Sequence, residues 1–141
     1  MNAHKKLIAQ HAQLLKAYKT LDFAVHYPSE NSHHITAELR TIYRDSRIKR
    51  FCYCYVLTKN YVRNYMRVTH ANKMRTAKSI FQACLTHNIT SLQKTALLHE
   101  MSDAHKKSSY AYDEEIANDL EKKIPKYAHL LNTLALRIAP K

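Results

Sequence analysis

The chain of 141 residues contains no glycine, no tryptophan and only three prolines. At an average glycine usage of about 7%, a chain of this length would contain roughly ten glycines. Tight hairpin turns, phosphate-binding loops and dinucleotide-binding fingerprints need glycine at fixed positions, because glycine adopts positive φ angles without steric cost. The absence of glycine therefore excludes conventional P-loop and dinucleotide-binding enzymes. It favours helices that are joined by polar loops.

Acidic residues are also few: 23 Lys and Arg stand against 11 Asp and Glu, which gives a formal net charge of +12. The excess is concentrated in the middle of the chain, where residues 40–99 carry twelve Lys and Arg against Asp45 alone. The net charge is +1 over residues 1–39 and zero over residues 100–141. This block of positive charge predicts a surface for an acidic partner: nucleic acid, an anionic membrane or an acidic protein. The alternative is a solvated basic face without a specific partner.

Cysteine is scarce, with Cys52, Cys54 and Cys84 as the three residues of this type. An odd number of cysteines, without a second pair to match the C-x-C spacing, predicts buried free thiols in a reducing compartment. A metal site formed by Cys52, Cys54 and one histidine is the alternative. The sequence has no apolar run of about 18 residues, so we predict no transmembrane helix.

Apolar residues recur at helical spacing along most of the chain. A first helix is predicted over residues 3–25, and a second helix follows a break that contains Pro28 and a candidate N-cap, Ser32. Residues 51–57 alternate aromatic and thiol side chains, which also fits a β-strand. No second alternating run exists to pair with such a strand, so a helix is predicted there.

Further helices are predicted in the C-terminal half. The pattern T-x-x-Q over residues 90–93 is typical of a helix start. Asp113, followed by two glutamates, predicts another start, and Pro125 predicts the end of that helix. A final apolar helix is expected over residues 127–138. These patterns together predict an all-α fold.

Ten histidines raise the question of a catalytic or metal site. His99 and Glu100 begin like the zinc motif H-E-x-x-H, but Asp103 stands where the second histidine is required. A weaker metal site of these three residues is the alternative to a set of surface polar residues. A nucleophile elbow cannot be built without glycine. We therefore predict that the protein is not an enzyme, with no catalytic residue and no metal ligand.

Two segments resemble the LYR-motif family of small mitochondrial proteins. Residues 39–47, with the sequence LRTIYRDSR, are similar to the motif on the second helix of that family and keep its three basic positions, Arg40, Arg44 and Arg47. Tyr43 replaces the phenylalanine of that motif. Residues 17–19, with the sequence AYK, are similar to the motif on the first helix, with Lys19 in place of arginine. The resemblance covers about residues 7–70.

The resemblance implies a three-helix bundle over residues 1–71, with its third helix from Ile48 onward. Residues 72–141 would form a helical C-terminal extension. Members of that family bind an acyl carrier protein, whose acidic helix docks against basic residues of the bundle. The residues assigned to this contact are Tyr18, Lys19, Arg40, Tyr43, Arg44 and Arg47. No cofactor is expected apart from the acyl-phosphopantetheine group of the bound acyl carrier protein.

The resemblance predicts a non-catalytic accessory subunit or assembly factor of a mitochondrial respiratory-chain complex, with mitochondrial acyl carrier protein and subunits of that complex as partners. The expected location is the matrix side of the inner membrane, as a peripheral protein, and the acid-poor first helix is similar to an import signal. One alternative is a basic RNA-binding accessory protein of the mitochondrial ribosome, because cations and tyrosines alternate over residues 40–78. Another is an amphipathic protein on a membrane surface.

Overall fold

The computed structural model describes residues 2–28 and 34–140, and within these ranges all regular elements are helical. The elements are α1 (Ala3–His26), α2 (Ala37–His70), α3 (Ala77–Thr86), α4 (Leu92–Lys107), a 3₁₀ turn (Ser108–Tyr110) and α5 (Glu114–Arg137). The all-α prediction is confirmed. None of the helices in the described ranges is both long enough and apolar enough to span a membrane.

The second helix, α2, is continuous over 34 residues. A separate third helix from Ile48 is therefore wrong, whereas the helical prediction for residues 51–57 is correct. Phe51, Cys54 and Tyr55 of this run are buried. Because α2 packs against α1, α3 and α5, it needs apolar side chains over a broad sector of its surface rather than on one narrow stripe. Because this sector is broad, apolar side chains fill residues 51–57 so densely that their pattern also fits a β-strand.

The last helix, α5, runs without a break through Pro125, so the predicted stop is wrong and residues 127–138 continue the same helix. Its predicted start is confirmed, because the Asp113 carboxylate accepts hydrogen bonds from the N–H groups of Glu115 and Ile116 at 2.9 and 3.1 Å. A proline inside a helix costs about 3 kcal/mol relative to alanine. Burial offsets this cost on both sides of the proline, at Leu120, Ile124, Tyr127 and Leu131.

The other helix starts also use short polar side chains. Thr36 is the N-cap of α2, and its hydroxyl group accepts a hydrogen bond from the backbone N–H of Leu39. The predicted cap Ser32 lies outside the described residues. The cap of α4 is Ser91 rather than the predicted Thr90. Thr90 is buried, and its hydroxyl lies 2.7 Å from that of Thr95 inside the protein.

One hydrophobic core draws side chains from all five α-helices. It includes Leu21 of α1, Phe51 of α2, Phe81 of α3, Met101 of α4 and Tyr127 of α5. The predicted division between residues 71 and 72 therefore runs through a shared core. In particular α5, from the predicted extension, packs directly against α1 and α2.

Two buried polar side chains fasten the end of α5 to the helices beneath it. The hydroxyl of Tyr61 donates a hydrogen bond of 2.6 Å to the carbonyl oxygen of Ile138. The Nε2 atom of His11 lies 2.9 Å from the carbonyl oxygen of Ala135, which can only accept, so the histidine donates. These bonds satisfy carbonyl groups that the helix end leaves without partners. They fix the position of α5 against α1 and α2. The first half of α5 thereby lies beside Arg44 and Arg47 of α2.

Candidate functional site

A cleft of about 420 Å³ lies where the chain after α1, the start of α2 and the first half of α5 meet. Its lining includes four of the six residues predicted to bind a partner, namely Arg40, Tyr43, Arg44 and Arg47. The opposite wall comes from α5 and consists of Glu114, Asn118 and Glu121. The cleft therefore combines a basic wall and an acidic wall.

Arg44 is buried and joins α2 to α5. Its Nη1 atom donates hydrogen bonds to Glu114 at 2.8 Å and to Asn118 at 3.1 Å, while Nε donates to Asp45 at 3.1 Å. The hydrogen bond with Glu114 is the main cause that raises the pKa of Arg44, and the same bond lowers the pKa of the Glu114 carboxyl group. The guanidinium group is thus occupied by groups of the same chain, and it supports the cleft rather than offering a free charge.

Arg47 closes the junction between α1 and α2. Its Nε and Nη2 atoms donate hydrogen bonds of 2.7 Å to the carbonyl oxygens of Ala24 and Tyr27, which belong to the end of α1. Its Nη1 atom donates to Glu121 of α5 at 2.8 Å. A cationic side chain at the C-terminal end of a helix satisfies unpaired carbonyl groups and opposes the negative end of the helix dipole. Arg47 therefore binds three helices together.

Arg40 and Tyr43 are placed differently from these two arginines. Arg40 is exposed, and it forms no ion pair with any residue in the ranges 2–28 and 34–140. The ring of Tyr43 is half-buried and meets the ring of Tyr27 edge to face, at 5.4 Å between centroids. Of the cleft's arginines, Arg40 is thus the one that the described residues leave available to a bound molecule.

The structure does not bring Tyr18 and Lys19 into the cleft. Tyr18 is half-buried against the core, and its pKa is raised chiefly by burial and further by Asp22 and Cys54. Lys19 is exposed on α1. The six residues of the predicted contact thus divide into four that line the cleft and two that lie on α1 away from it.

Sequence reasoning missed an exposed group of apolar side chains beside the cleft. Phe23 is 67% exposed and Tyr27 is 48% exposed, and their rings stack at 5.3 Å between centroids. Together with the half-buried ring of Tyr43, which meets Tyr27, they form what we call the junction patch. One signal was available in the sequence: Phe23 lies two positions after Leu21 and therefore off the apolar stripe of α1.

The remaining positive charge of the middle segment is spread over the surface. Of the twelve cations in residues 40–99, Arg44 and Arg47 alone form ion pairs with the residues that the structure describes. The ammonium groups of Lys49 and Lys59 instead lie 5.9 Å from the ring centroids of Tyr53 and Tyr55. Exposed charges of this kind contribute little to stability and strongly to the attraction of acidic partners.

Neither of the predicted alternatives for a metal site is assembled. Across residues 2–28 and 34–140, no group of three or more His, Cys, Asp or Glu side chains could hold a metal ion. The carboxylate of Glu100, from one of the alternatives, accepts a hydrogen bond from the hydroxyl of Tyr127 at 2.6 Å and pairs with Lys126 at 3.0 Å. Cys54 and Cys84 are buried free thiols, and burial raises the pKa of each to about 12.

The thiols give a direct test of this burial. Because the thiolate is the reactive form, we expect Cys54 and Cys84 to react with a disulfide reagent at pH 8 at least about 100-fold more slowly in the native protein than in urea. Cys52 is half-buried and should account for any faster reaction. A Cys52→Ser variant serves as the control and should lose the fast phase. Two or more fast thiols in the native protein would contradict the packing described above.

Comparison with known proteins gives a fold match and a family match. A crystal structure of a protein from Thermus thermophilus superimposes with a TM-score of 0.77 at 20% sequence identity, covering 89% of this chain and 98% of that chain. At 20% identity, the similarity shows only that the two proteins share a fold. No curated protein matches the sequence.

The family match overturns the resemblance on which the mitochondrial predictions depended. The model of a family described as nucleotidyltransferase substrate binding protein like matches residues 7–139, including the C-terminal half for which the LYR-motif family offers no counterpart. The LYR assignment is therefore wrong. So are the respiratory-chain function, the acyl carrier protein and respiratory-complex partners, the ribosomal RNA-binding alternative and the location at the mitochondrial inner membrane.

The physical reason for the error is that arginines at helical spacing beside aromatic residues have more than one use. Arg44 and Arg47 bind acidic groups and carbonyl groups of their own chain. An acyl-phosphopantetheine cofactor stays a prediction that has lost the resemblance behind it. The family match covers almost the whole sequence, and the chain belongs to the nucleotidyltransferase substrate binding protein-like family.

Proposed function

We propose that this protein is a non-catalytic binding subunit that docks on a nucleotidyltransferase and holds the acceptor substrate of that enzyme. The observation that carries the proposal is the cleft beside Arg40, in a chain whose family is described by substrate binding for nucleotidyltransferases. The cleft is open to solvent and therefore accessible to a partner. In this role the protein requires no cofactor of its own.

The carboxylates of the cleft are suited to binding rather than to catalysis. A general base has to be free to take up a proton near the working pH. Glu114 instead accepts hydrogen bonds from Arg44, which lower its pKa, and Glu121 accepts a hydrogen bond from Arg47. Arginines of the same chain thus hold both carboxylates in place. The carboxylates form a fixed acceptor wall.

The two walls of the cleft define a substrate class. Glu114, Asn118 and Glu121 can accept hydrogen bonds from hydroxyl or amino groups, and Arg40 can pair with an anionic group. Nucleotidyl transfer joins a nucleotide to a hydroxyl or amino group, so a polar acceptor molecule fits these walls. A nucleoside triphosphate fits them less well, because its phosphates would lie beside two glutamates, and Arg40 is the one lining arginine without an ion pair among the described residues.

The test compares Arg40→Ala with Arg63→Ala, an exposed cation on the same helix but outside the cleft. Sugars, amino sugars and amino acids serve as acceptor probes, and ATP with Mg²⁺ is the comparison, all measured by isothermal titration calorimetry. We expect at least one acceptor probe to bind. Arg40→Ala should weaken that binding about tenfold, or ~1.4 kcal/mol. Arg63→Ala should leave it unchanged.

Three results would contradict the proposal. The first is that no acceptor probe binds, and the second is that Arg40→Ala and Arg63→Ala lower the affinity equally. The third is transfer of a nucleotide from ATP to an acceptor by the purified chain alone. Binding of ATP that is tighter than that of every acceptor probe would reassign the cleft to the nucleotide.

A further inference from the structure

We infer that the junction patch, formed by Phe23, Tyr27 and Tyr43, is the surface on which the nucleotidyltransferase docks, through an apolar side chain of the enzyme that is surrounded by carboxylates. The inference rests on the proposed function for the identity of the partner. The surface itself is assigned from the contacts and charges of this chain.

The aromatic rings of the patch are exposed and yet held in place by one another. Phe23 and Tyr27 are nearly parallel, with 14° between their ring planes, and Tyr43 meets Tyr27 at 86°. Rings that are already ordered lose little conformational freedom when a partner covers them, and each brings a large apolar area. Such aromatic side chains dominate the energetics of protein–protein interfaces.

A small cavity opens between the rings and gives the patch a specific shape. Its volume is about 170 Å³, and its walls come from Phe23, Ala24, Tyr27, Tyr43, Ser46 and Arg50. A cavity of this size, walled mainly by apolar groups, admits one large aliphatic or aromatic side chain. The arrangement of an anchor side chain in a pocket, with aromatic rings around it, is typical of the centre of an interface.

The charges around the patch select an acidic partner. Arg50 lines the cavity, and Lys19 lies one helical turn before Phe23 on α1. The neighbouring acid, Asp22, is 3.5 Å from His26. The remaining cations favour a partner with carboxylates, which they would also attract over a distance. In a dimer formed through this patch, the cations of one copy would instead face the same cations of the other copy and repel them.

A protein partner also fits better than a membrane. A helix that lies on a bilayer needs a broad apolar face. The apolar stripe of α1 is turned inward, since Leu7, Leu14 and Leu21 are buried. What remains at the surface is a short patch with a concave centre, which fits a protruding side chain.

The position of the patch also explains how docking would serve the substrate. Tyr43 lines both the cavity of the patch and the 420 Å³ cleft, so one side chain forms a wall between them. An enzyme seated on the patch would therefore lie at the mouth of the cleft. The acceptor molecule held there would face the enzyme that modifies it.

The test uses two variants of the patch, Phe23→Asp and Arg50→Glu, each with a matched control. Leu92→Asp changes a side chain on α4 that is 72% exposed, and Arg63→Glu reverses an exposed charge on the same helix as Arg50. Each nucleotidyltransferase of the source organism is purified and titrated against the full chain by biolayer interferometry. We expect one enzyme to bind the wild type, with about tenfold or greater loss of affinity for each patch variant. The controls should stay within about twofold, and all four variants should keep the wild-type melting temperature.

Each other outcome would overturn the inference in a distinguishable way. Enzyme binding that no patch variant changes would overturn the surface and leave the proposed function intact. Failure of every enzyme to bind the wild type would overturn both. Binding to phosphatidylglycerol vesicles that Phe23→Asp abolishes, without enzyme binding, would assign the patch to a membrane. Concentration-dependent dimers that Phe23→Asp abolishes would assign it to a second copy of the chain.

Discussion

Replacement of Phe51 by alanine is expected to lower the free energy of unfolding by about 3–5 kcal/mol. The Phe51 side chain is 0% exposed, and its ring stacks on that of Tyr127 at 5.5 Å between centroids and lies 6.3 Å from that of Tyr55. Alanine would leave a cavity between α2 and α5, which the packed helices can close only in part. A domain of this size is stable by about 5–15 kcal/mol, so the variant would be marginal at best.

The matched control is Phe23→Ala, which removes the same ring from an exposed position on α1. Urea unfolding followed by far-ultraviolet circular dichroism should place its free energy of unfolding within about 0.5 kcal/mol of the wild type. Phe23→Ala should nevertheless weaken docking of the enzyme, whereas a partly folded Phe51→Ala would lose stability and binding together. Equal destabilisation by the two substitutions would contradict the assignment of one ring to the core and the other to the surface.

Features of this fold that depend on neighbours in the sequence were predictable from the sequence alone. Helical spacing of apolar residues correctly predicts α1, whose buried side chains include Leu7, Leu14 and Leu21. Local capping chemistry correctly predicts the start of α5 at Asp113. Both features depend on side chains within one or two turns of the chain, and a sequence shows such neighbours directly.

Features that depend on tertiary burial were not predictable in the same way. Pro125 is a strong local signal for a helix end, yet α5 continues because its apolar residues are buried on both sides of the proline. Similarly, residues 51–57 resemble a strand because α2 is covered by several helices. The residues that bury α2 and α5 come from distant parts of the sequence. Local helix and strand propensities therefore do not reveal them.

The candidate site shows the same limit for charge. Arg40, Arg44 and Arg47 form one stripe in the sequence, but Glu114 lies 70 residues beyond Arg44, and Glu121 lies 74 residues beyond Arg47. In the folded protein, Arg44 forms an ion pair with Glu114 and Arg47 forms one with Glu121. The strongly basic middle segment is therefore partly neutralised at the cleft, whereas its other ten cations, Arg40 among them, form no ion pair with the residues that the structure describes.

Loss of the Arg47 side chain tests whether the junction depends on this neutralisation. We expect Arg47→Ala to lower the free energy of unfolding by about 2 kcal/mol. Hydrogen bonds to a charged group contribute about 1.5–3 kcal/mol each when well buried. Arg47 makes three of them, to Ala24, Tyr27 and Glu121, but its side chain is 21% exposed and water can replace part of the loss. Urea unfolding with an unchanged m-value is the measurement.

The substitution should also affect docking, because Arg47 holds the backbone of Tyr27 and with it one ring of the junction patch. Arg47→Lys should recover less than half of the lost stability, since a single ammonium group cannot reach two carbonyl groups and a carboxylate at once. Arg50→Ala is the control for stability: it removes an exposed arginine from the same helix and should stay within about 0.5 kcal/mol of the wild type. If Arg47→Ala and Arg50→Ala unfolded at the same urea concentration, the carbonyl and carboxylate contacts of Arg47 would contribute no net stability. The geometry of the cleft and of the patch would then depend on apolar packing alone.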